Sequence, residues 1–478
     1  MLPLFRIVEE EMTKSTFNAI QAENAKAGHG GWNLPNDGTP AYPDEICGYA
    51  SDVSVNRGDE ISFFVSTPDP HFQYEVYRLG WYDGQRGRLI TSGTVDAQNQ
   101  LATLGFDATT GACNWNTSFS LQTECESDST EWCSGVYVMI LVAAKSGKKS
   151  RIVFTVRDDS RDSEFLVVVD DLTRQAYNGF GEVSSYSEID WLGLSRKIPE
   201  ETFRCRGENT VSFDRPSFGN DEFHSGWPNF VYFGTLAFIK YIEEQGRNVT
   251  YASDVDLARN PSVLDMHKAI LFIGHSEYWT EDMWVAVVTA RDNGVHLGFF
   301  SSNICYRVCN YNEGATGRTF YCKKHGPPGG EDLWRSKSTH NRESILIGVD
   351  FHDLNDVGRG DGPDGKVTKK DYTIINKDHW VCVGTGCENG DTIPLVVDYE
   401  ADRRSSQSPP QTEVIANSSP GGQIVSEMTV YQHGSAIVFA SGVMFWSHAL
   451  PLDGLHAPGF PVPLARAMTK NVLDRFES

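Results

Sequence analysis

The sequence predicts a mixed α/β chain: an antiparallel β-sandwich, then a doubly wound, mostly parallel α/β domain with β-rich C-terminal additions. Three observations carry that expectation. Short β-branched and aromatic runs alternate with turn clusters up to about residue 158, strands and helices alternate after it, and isolated strand-like runs with long loops return beyond residue 323. The 478 residues, 40% hydrophobic and 12% aromatic, suffice for two or three packed domains and are too apolar for a disordered chain.

Residues 1–44 mix polar residues with Gly and Pro without sustained periodicity, which predicts an irregular arm. The sandwich, residues 45–158, is read from VSV at 53–55, EISFFV at 60–65, FQYEVY at 72–77, GVYVMILV at 135–142 and RIVFTV at 151–156. The α/β domain, residues 163–478, opens with FLVVV at 165–169, a wholly apolar run of the kind a buried parallel strand requires. Residues 236–245 have helical periodicity and stop at Gly246, a C-cap signal. A strand at 249–252, a strand at 269–273, a helix at 281–293 ended by Gly294 and a strand at 295–300 continue the alternation. Later strands at 373–375, 395–397, 423–431 and 436–439 extend the sheet or cap it.

Charge and hydropathy exclude two classes of partner. With 41 Lys+Arg against 64 Asp+Glu the net charge is −23, and no basic stripe offsets it, so nucleic acid is excluded. The longest apolar run, residues 136–144, falls far short of the roughly 20 residues that span a bilayer. The start, MLPLFRIVEEEMTKS, breaks its apolar stretch with three glutamates and shows no signal peptide, which favours a soluble, cytoplasmic protein over a secreted one.

In doubly wound sheets, ligands sit beyond the carboxyl ends of the strands. Three such ends carry dense chemistry: DDLTRQAYNGFGEVSSY after residue 169, GHSEYW after 273 and SSN after 300. They place Tyr177, Tyr186, His275, Glu277 and Asn303 on one rim, and His275 and Glu277 share a tight turn after an apolar strand. Nucleotide and zinc-protease motifs are absent, and SSN lacks the glycines of a nucleophile elbow. Cys305 lies two residues past Asn303, the position a thiol hydrolase of glutamine-amidotransferase type would use. The ten cysteines include Cys305, Cys309, Cys322 and His325 in the spacing C-x3-C-x12-C-x2-H, a ligand set for structural zinc, with free thiols or disulfides as the alternative.

GHSEYW at 274–279, QAYN at 175–178, GFGEVSSY at 179–186, HWVCVGTG at 379–386 and DYEAD at 398–402 resemble the C-terminal domain of the N,N-dimethylformamidase large (beta) subunit family. ICGYASDVSVNRGDEI at 46–61 and YRLGWYDGQRGRLI at 77–90 are similar to the sandwich that precedes it. The resemblance implies an immunoglobulin-like sandwich ahead of a glutamine-amidotransferase-like domain. It also implies a mononuclear, ferric iron held by two tyrosines and a glutamate, acting as a Lewis acid in the hydrolysis of a small amide. The glutamate falls on Glu277 and one tyrosine on Tyr177; the second falls on Tyr186, with Tyr232 in reserve. His275 and Asn303 would serve proton transfer and orientation, and a general base falls on Glu400. A homo-oligomer or a small partner subunit is further implied. The competing expectation is a noncatalytic relative that binds a ligand or carbohydrate without turnover.

Overall fold

The computed structural model describes residues 18–33, 41–123, 131–185, 208–217, 234–312, 317–323, 332–337, 342–353, 370–397, 400–452 and 462–478. The chain is mixed α/β and mostly sheet. Its first strands are β1 (Cys47–Ala50), β2 (Ser54–Asn56), β3 (Glu60–Ser66), β4 (His71–Leu79), β5 (Gly87–Asp96), β6 (Phe119–Gln122), β7 (Gly135–Ala143) and β8 (Lys149–Arg157). They form two sheets, β1-β3-β6 and β2-β8-β7-β4-β5, antiparallel except where β2 meets β8. Phe63 and Val65 of the first sheet share a core with Phe72, Val76, Tyr137 and Phe154 of the second.

Strand β7 shows why its sequence is apolar without alternation. Tyr137, Met139 and Leu141 enter the core between the two sheets, whereas Val136, Val138 and Ile140 enter a second core shared with the α/β part. A strand buried on both faces has no solvent side on which to place polar residues.

Nine more strands build one sheet: β9 (Ser163–Val169), β10 (Val249–Ser253), β11 (His267–Phe272), β12 (His296–Phe299), β13 (Lys370–Ile374), β14 (Thr392–Val397), β15 (Glu413–Ser418), β16 (Ser426–His433) and β17 (Ala436–Ala440). Their spatial order is β10-β9-β11-β12-β17-β16-β15-β13-β14. The five strands from β10 to β17 are mutually parallel. The pairings from β17 to β14 are antiparallel. The expectation of a mostly parallel sheet is therefore corrected: parallel pairing stops at β17, because β16 leads into β17 through a tight turn that admits only antiparallel pairing. Helices Thr235–Glu244 and Pro463–Glu477 cover one face of the parallel half, and Asp254–Arg259 and Glu281–Asp292 cover the other. Alternate residues of β9 divide between them, Val167 and Val169 one way, Leu166 and Val168 the other.

The described part of the N-terminal arm is more ordered than its polarity suggests. Asn18 caps helix Ala19–Asn24, and Ile20 and Trp32 are buried. This segment joins a charged network at the seam between the sandwich and the α/β part. Arg78 on β4 makes a two-point ion pair with Glu243 on helix Thr235–Glu244, Nη2 to Oε1 at 2.7 Å and Nη1 to Oε2 at 3.1 Å, both side chains fully buried. Tyr251 OH and Asn24 Nδ2 donate to the same carboxylate, each at 2.8 Å. Among the described residues, no helix is long and apolar enough to cross a membrane.

Candidate active site

Strand β9 lies between β10 and β11, so the chain leaves β9 in one direction and later returns to its other side. A crevice opens at the carboxyl ends of such a reversal, and both outgoing segments carry chemistry into it. β9 leads through Asp170 into helix Asp171–Tyr177, whose last residue is Tyr177. β11 leads into the turn of Gly274, His275 and Glu277. Gly274 has φ +72°, and a Cβ there would collide with Thr235 and come within 2.8 Å of Asp170 Oδ1, so glycine is required. Asp170 Oδ2 accepts the His275 N–H at 2.8 Å, and Thr173 Oγ1 accepts the N–H groups of Glu277 and Tyr278 at 2.9 and 3.2 Å. The helix and the turn are thereby tied together.

Five residues singled out from the sequence meet here. Tyr177 OH donates to Glu277 Oε2 at 3.0 Å. His275 Nε2 lies 3.7 Å from that oxygen, 2.9 Å from Glu400 Oε2 and 3.5 Å from Asn303 Nδ2. His275, Glu277 and Asn303 are buried, while Glu400 is partly open to solvent. Burial raises the Glu277 carboxyl above the usual range and Glu400 adds to the rise, against the opposing pull of His275, Arg307 and the Tyr177 hydroxyl. Burial alone would lower the His275 imidazolium, but Glu400 and Glu277 overcome it and hold the group up at about 9.

Four contributors were not recognised from the sequence. Asp170 and Thr173 hold the turn, as described, and Arg307 Nε stands 3.6 Å from Glu277 Oε1. Asp402 Oδ1 accepts the N–H of Asn303 at 2.9 Å, fixing a residue whose φ of +52° is rare outside glycine. Its place in DYEAD was the available signal. Cys305 is fully buried, and burial, with Glu343 and Cys309 nearby, holds its thiol well above the usual value, which disfavours the thiolate of a thiol hydrolase.

Burial pushes the Asp402 carboxyl up to about 8; the Asn303 N–H opposes this, and Glu400, Asp350 and Glu343 reinforce it. The folded state thus holds this proton more tightly than the unfolded chain, where an aspartate titrates near about 4. The protonated form stabilises the fold, and that contribution is lost as pH rises from about 4 to about 8. Asp402→Asn keeps an acceptor oxygen and cannot ionise. Its thermal midpoint is expected to gain on the parent protein as pH rises through this window; parallel midpoints would refute the assignment.

Tyr186, Tyr232 and His325 lie outside the described residues. Among the described residues, no group of three or more His, Cys, Asp and Glu side chains is arranged to hold a metal. The ligand set implied by the resemblance is of another kind, two phenolates and one carboxylate. Its two described members fit: the 3.0 Å between Tyr177 and Glu277 oxygens is about the spacing of neighbouring ligands each about 2.0–2.1 Å from a six-coordinate ion. Hard oxygen donors also suit ferric iron.

The family described as N,N-dimethylformamidase beta subunit-like, C-terminal matches residues 73–459. The chain belongs to this family. The match takes in Tyr177, His275, Glu277, Asn303 and Glu400, together with most of β4 and the Arg78 pair at the seam. No curated protein matches the chain. Among solved structures, domain 1 of VCBP3 from Branchiostoma floridae is similar at 11% identity and a TM-score of 0.15, covering 24% of this chain and 96% of that one. A beta-glucosidase from Kluyveromyces marxianus is similar at 12% identity and a TM-score of 0.13, covering 24% of this chain and 15% of that one. Likenesses at this level carry no argument about fold or function.

Proposed function

We propose that this member of the dimethylformamidase-like family is an iron-dependent hydrolase of the C–N bond of a small amide. The observation that carries the reading is the convergence of Tyr177, Glu277, His275, Glu400 and Asn303 at the β9–β11 crevice. Tyr177 and Glu277 would hold ferric iron, with Tyr186, or Tyr232 in its place, as the second tyrosine. When bound, such an ion supplies Lewis acidity toward a carbonyl oxygen and water.

The chain's own groups supply orientation and proton transfer. Glu400 is the carboxylate partly open to solvent, and with its Oε2 buried against His275 its other oxygen is placed to take a proton from the attacking water. His275 Nε2, 2.9 Å from Oε2, stabilises that carboxylate before transfer and shares the proton before it reaches the departing nitrogen. Asn303 Nδ2 is placed to orient the amide, and Asp402 keeps it there. Burial of His275, Glu277 and Asn303 keeps bulk water from competing for these contacts. In the same proposal, residues 45–158 form an immunoglobulin-type sandwich and residues 163–478 a glutamine-amidotransferase-like unit. The two facing sheets and the helix-covered parallel strands support that assignment.

Elemental analysis and a substrate panel test the reading. The purified protein is expected to carry close to one iron per chain with a visible tyrosinate-to-iron band, to lose that band in Tyr177→Phe, and to release amine from small formamides or acetamides. His275→Ala is expected to slow amine release by roughly 100-fold to 10,000-fold. Folded, colourless, metal-free protein would sink the proposal.

A further inference from the structure

Eight of the ten cysteines fall within the described residues, all as thiols, and six of them sort into neighbouring pairs. Strand Asn310–Tyr311 pairs antiparallel with strand Thr319–Lys323; Asn310 faces Tyr321 and Tyr311 faces Phe320, which sets Cys309 opposite Cys322. Directly opposed residues have Cβ atoms about 4.5–5.5 Å apart, a small adjustment from the roughly 3.5–4.5 Å of a disulfide. Cys382 and Cys387 flank a turn closed by Thr385, whose N–H and hydroxyl both donate to the Cys382 carbonyl, at 3.2 and 2.7 Å. The two thiols are neighbours across that turn, and burial together with Cys387 pushes the Cys382 thiol up to about 12. Cys47 and Cys113 share a small core with Tyr49, Trp115 and Phe180. Scattered at random, eight cysteines would give about one neighbouring pair or fewer, because a buried side chain touches a limited set of others.

We propose that Cys47–Cys113, Cys309–Cys322 and Cys382–Cys387 close as disulfides, and that the fold is built for an oxidising compartment. Each closure forms one S–S bond and breaks two S–H bonds. The two electrons and two protons pass to a disulfide oxidant of the glutathione type, which leaves as two thiols. Each bond would brace a segment the fold depends on. Cys309 N–H donates to Trp279 O at 2.9 Å, so the first brace stands directly behind the Glu277 turn. Asn471 on the C-terminal helix donates to Val381 O and Val383 O at 2.9 and 2.8 Å, so the second fixes the turn that this helix holds. Cys113 N–H donates to Asp214 O at 2.7 Å, so the third ties β1 to the seam with the α/β part. None of this depends on the site being catalytic.

The test equilibrates the whole purified chain in buffer holding comparable oxidised and reduced glutathione, then denatures it with a thiol-blocking maleimide and no reductant. The expected result is maleimide on no more than four of the ten cysteines, with peptide mapping recovering the three named cross-links. Ten blocked thiols, cross-links between other cysteines, or bound zinc lost on blocking Cys309 and Cys322 would each overturn the proposal. Activity is not read at all, so its outcome leaves the hydrolase reading where it stands.

Discussion

Glu277→Ala is expected to weaken iron binding by more than about 100-fold and to remove amine release with it, while the protein stays folded. Replacing a residue that merely supports a metal ligand typically costs about 10–100-fold in affinity, so loss of a ligand should exceed that range. The fold should survive because the turn is held through the backbone, while the carboxylate reaches only the crevice groups Tyr177, His275 and Arg307 among the contacts described. The Glu277 N–H is taken by Thr173 Oγ1, and its carbonyl accepts from the N–H groups of Tyr306 and Arg307 at 3.0 and 2.9 Å. The side chain is itself a cost, since burial raises its carboxyl above the usual range. Metal titration alongside thermal melts separates the two effects. Full iron occupancy in this variant would show that Glu277 is not a ligand; a collapsed melting curve would show that the side chain supports the fold.

Glu243→Ala is expected to cost about 3–5 kcal/mol of stability, the largest effect anticipated for a residue far from the crevice. The loss comes less from the missing attraction than from the guanidinium of Arg78, left fully buried without its carboxylate. Set against a total of roughly 5–15 kcal/mol, such a change leaves a marginal protein. The double variant Glu243→Leu with Arg78→Met should recover part of the loss, since it removes both charges and fills the space with apolar atoms. Because the pair joins β4 to helix Thr235–Glu244, sandwich and α/β part should unfold together in the parent protein. Chemical denaturation followed by two probes would check both points; a single-variant cost under about 1 kcal/mol would refute the account.

Some elements were legible and others were not, for identifiable reasons. The run at 165–169 announced a strand because both of its faces are buried, and the helix at 236–245 announced itself by period and by Gly246. Helix Asp171–Tyr177 was missed because Asp171, Thr173, Arg174 and Gln175 are buried polar residues, so no apolar stripe marks its inner face. Strand β5 was missed because it lies at a sheet edge with mostly half-exposed polar residues. The helix at 19–24 was hidden by its short length and the polarity around it.

By itself, the sequence determined the local chemistry: an apolar strand that must end in Gly274, His275 and Glu277, a tyrosine in the segment that follows the apolar run at 165–169, and the family to which these strings belong. Only the tertiary structure decided that Glu400 meets His275, 125 positions away in the sequence, and that Asp402 meets Asn303. The reason is the return of β17 to the parallel half of the sheet beside β12. Its following segment carries Val443 to a bridge with Ala401, which sets Glu400 and Asp402 over the crevice. Local propensity is encoded residue by residue, whereas that meeting depends on the packing of the whole sheet.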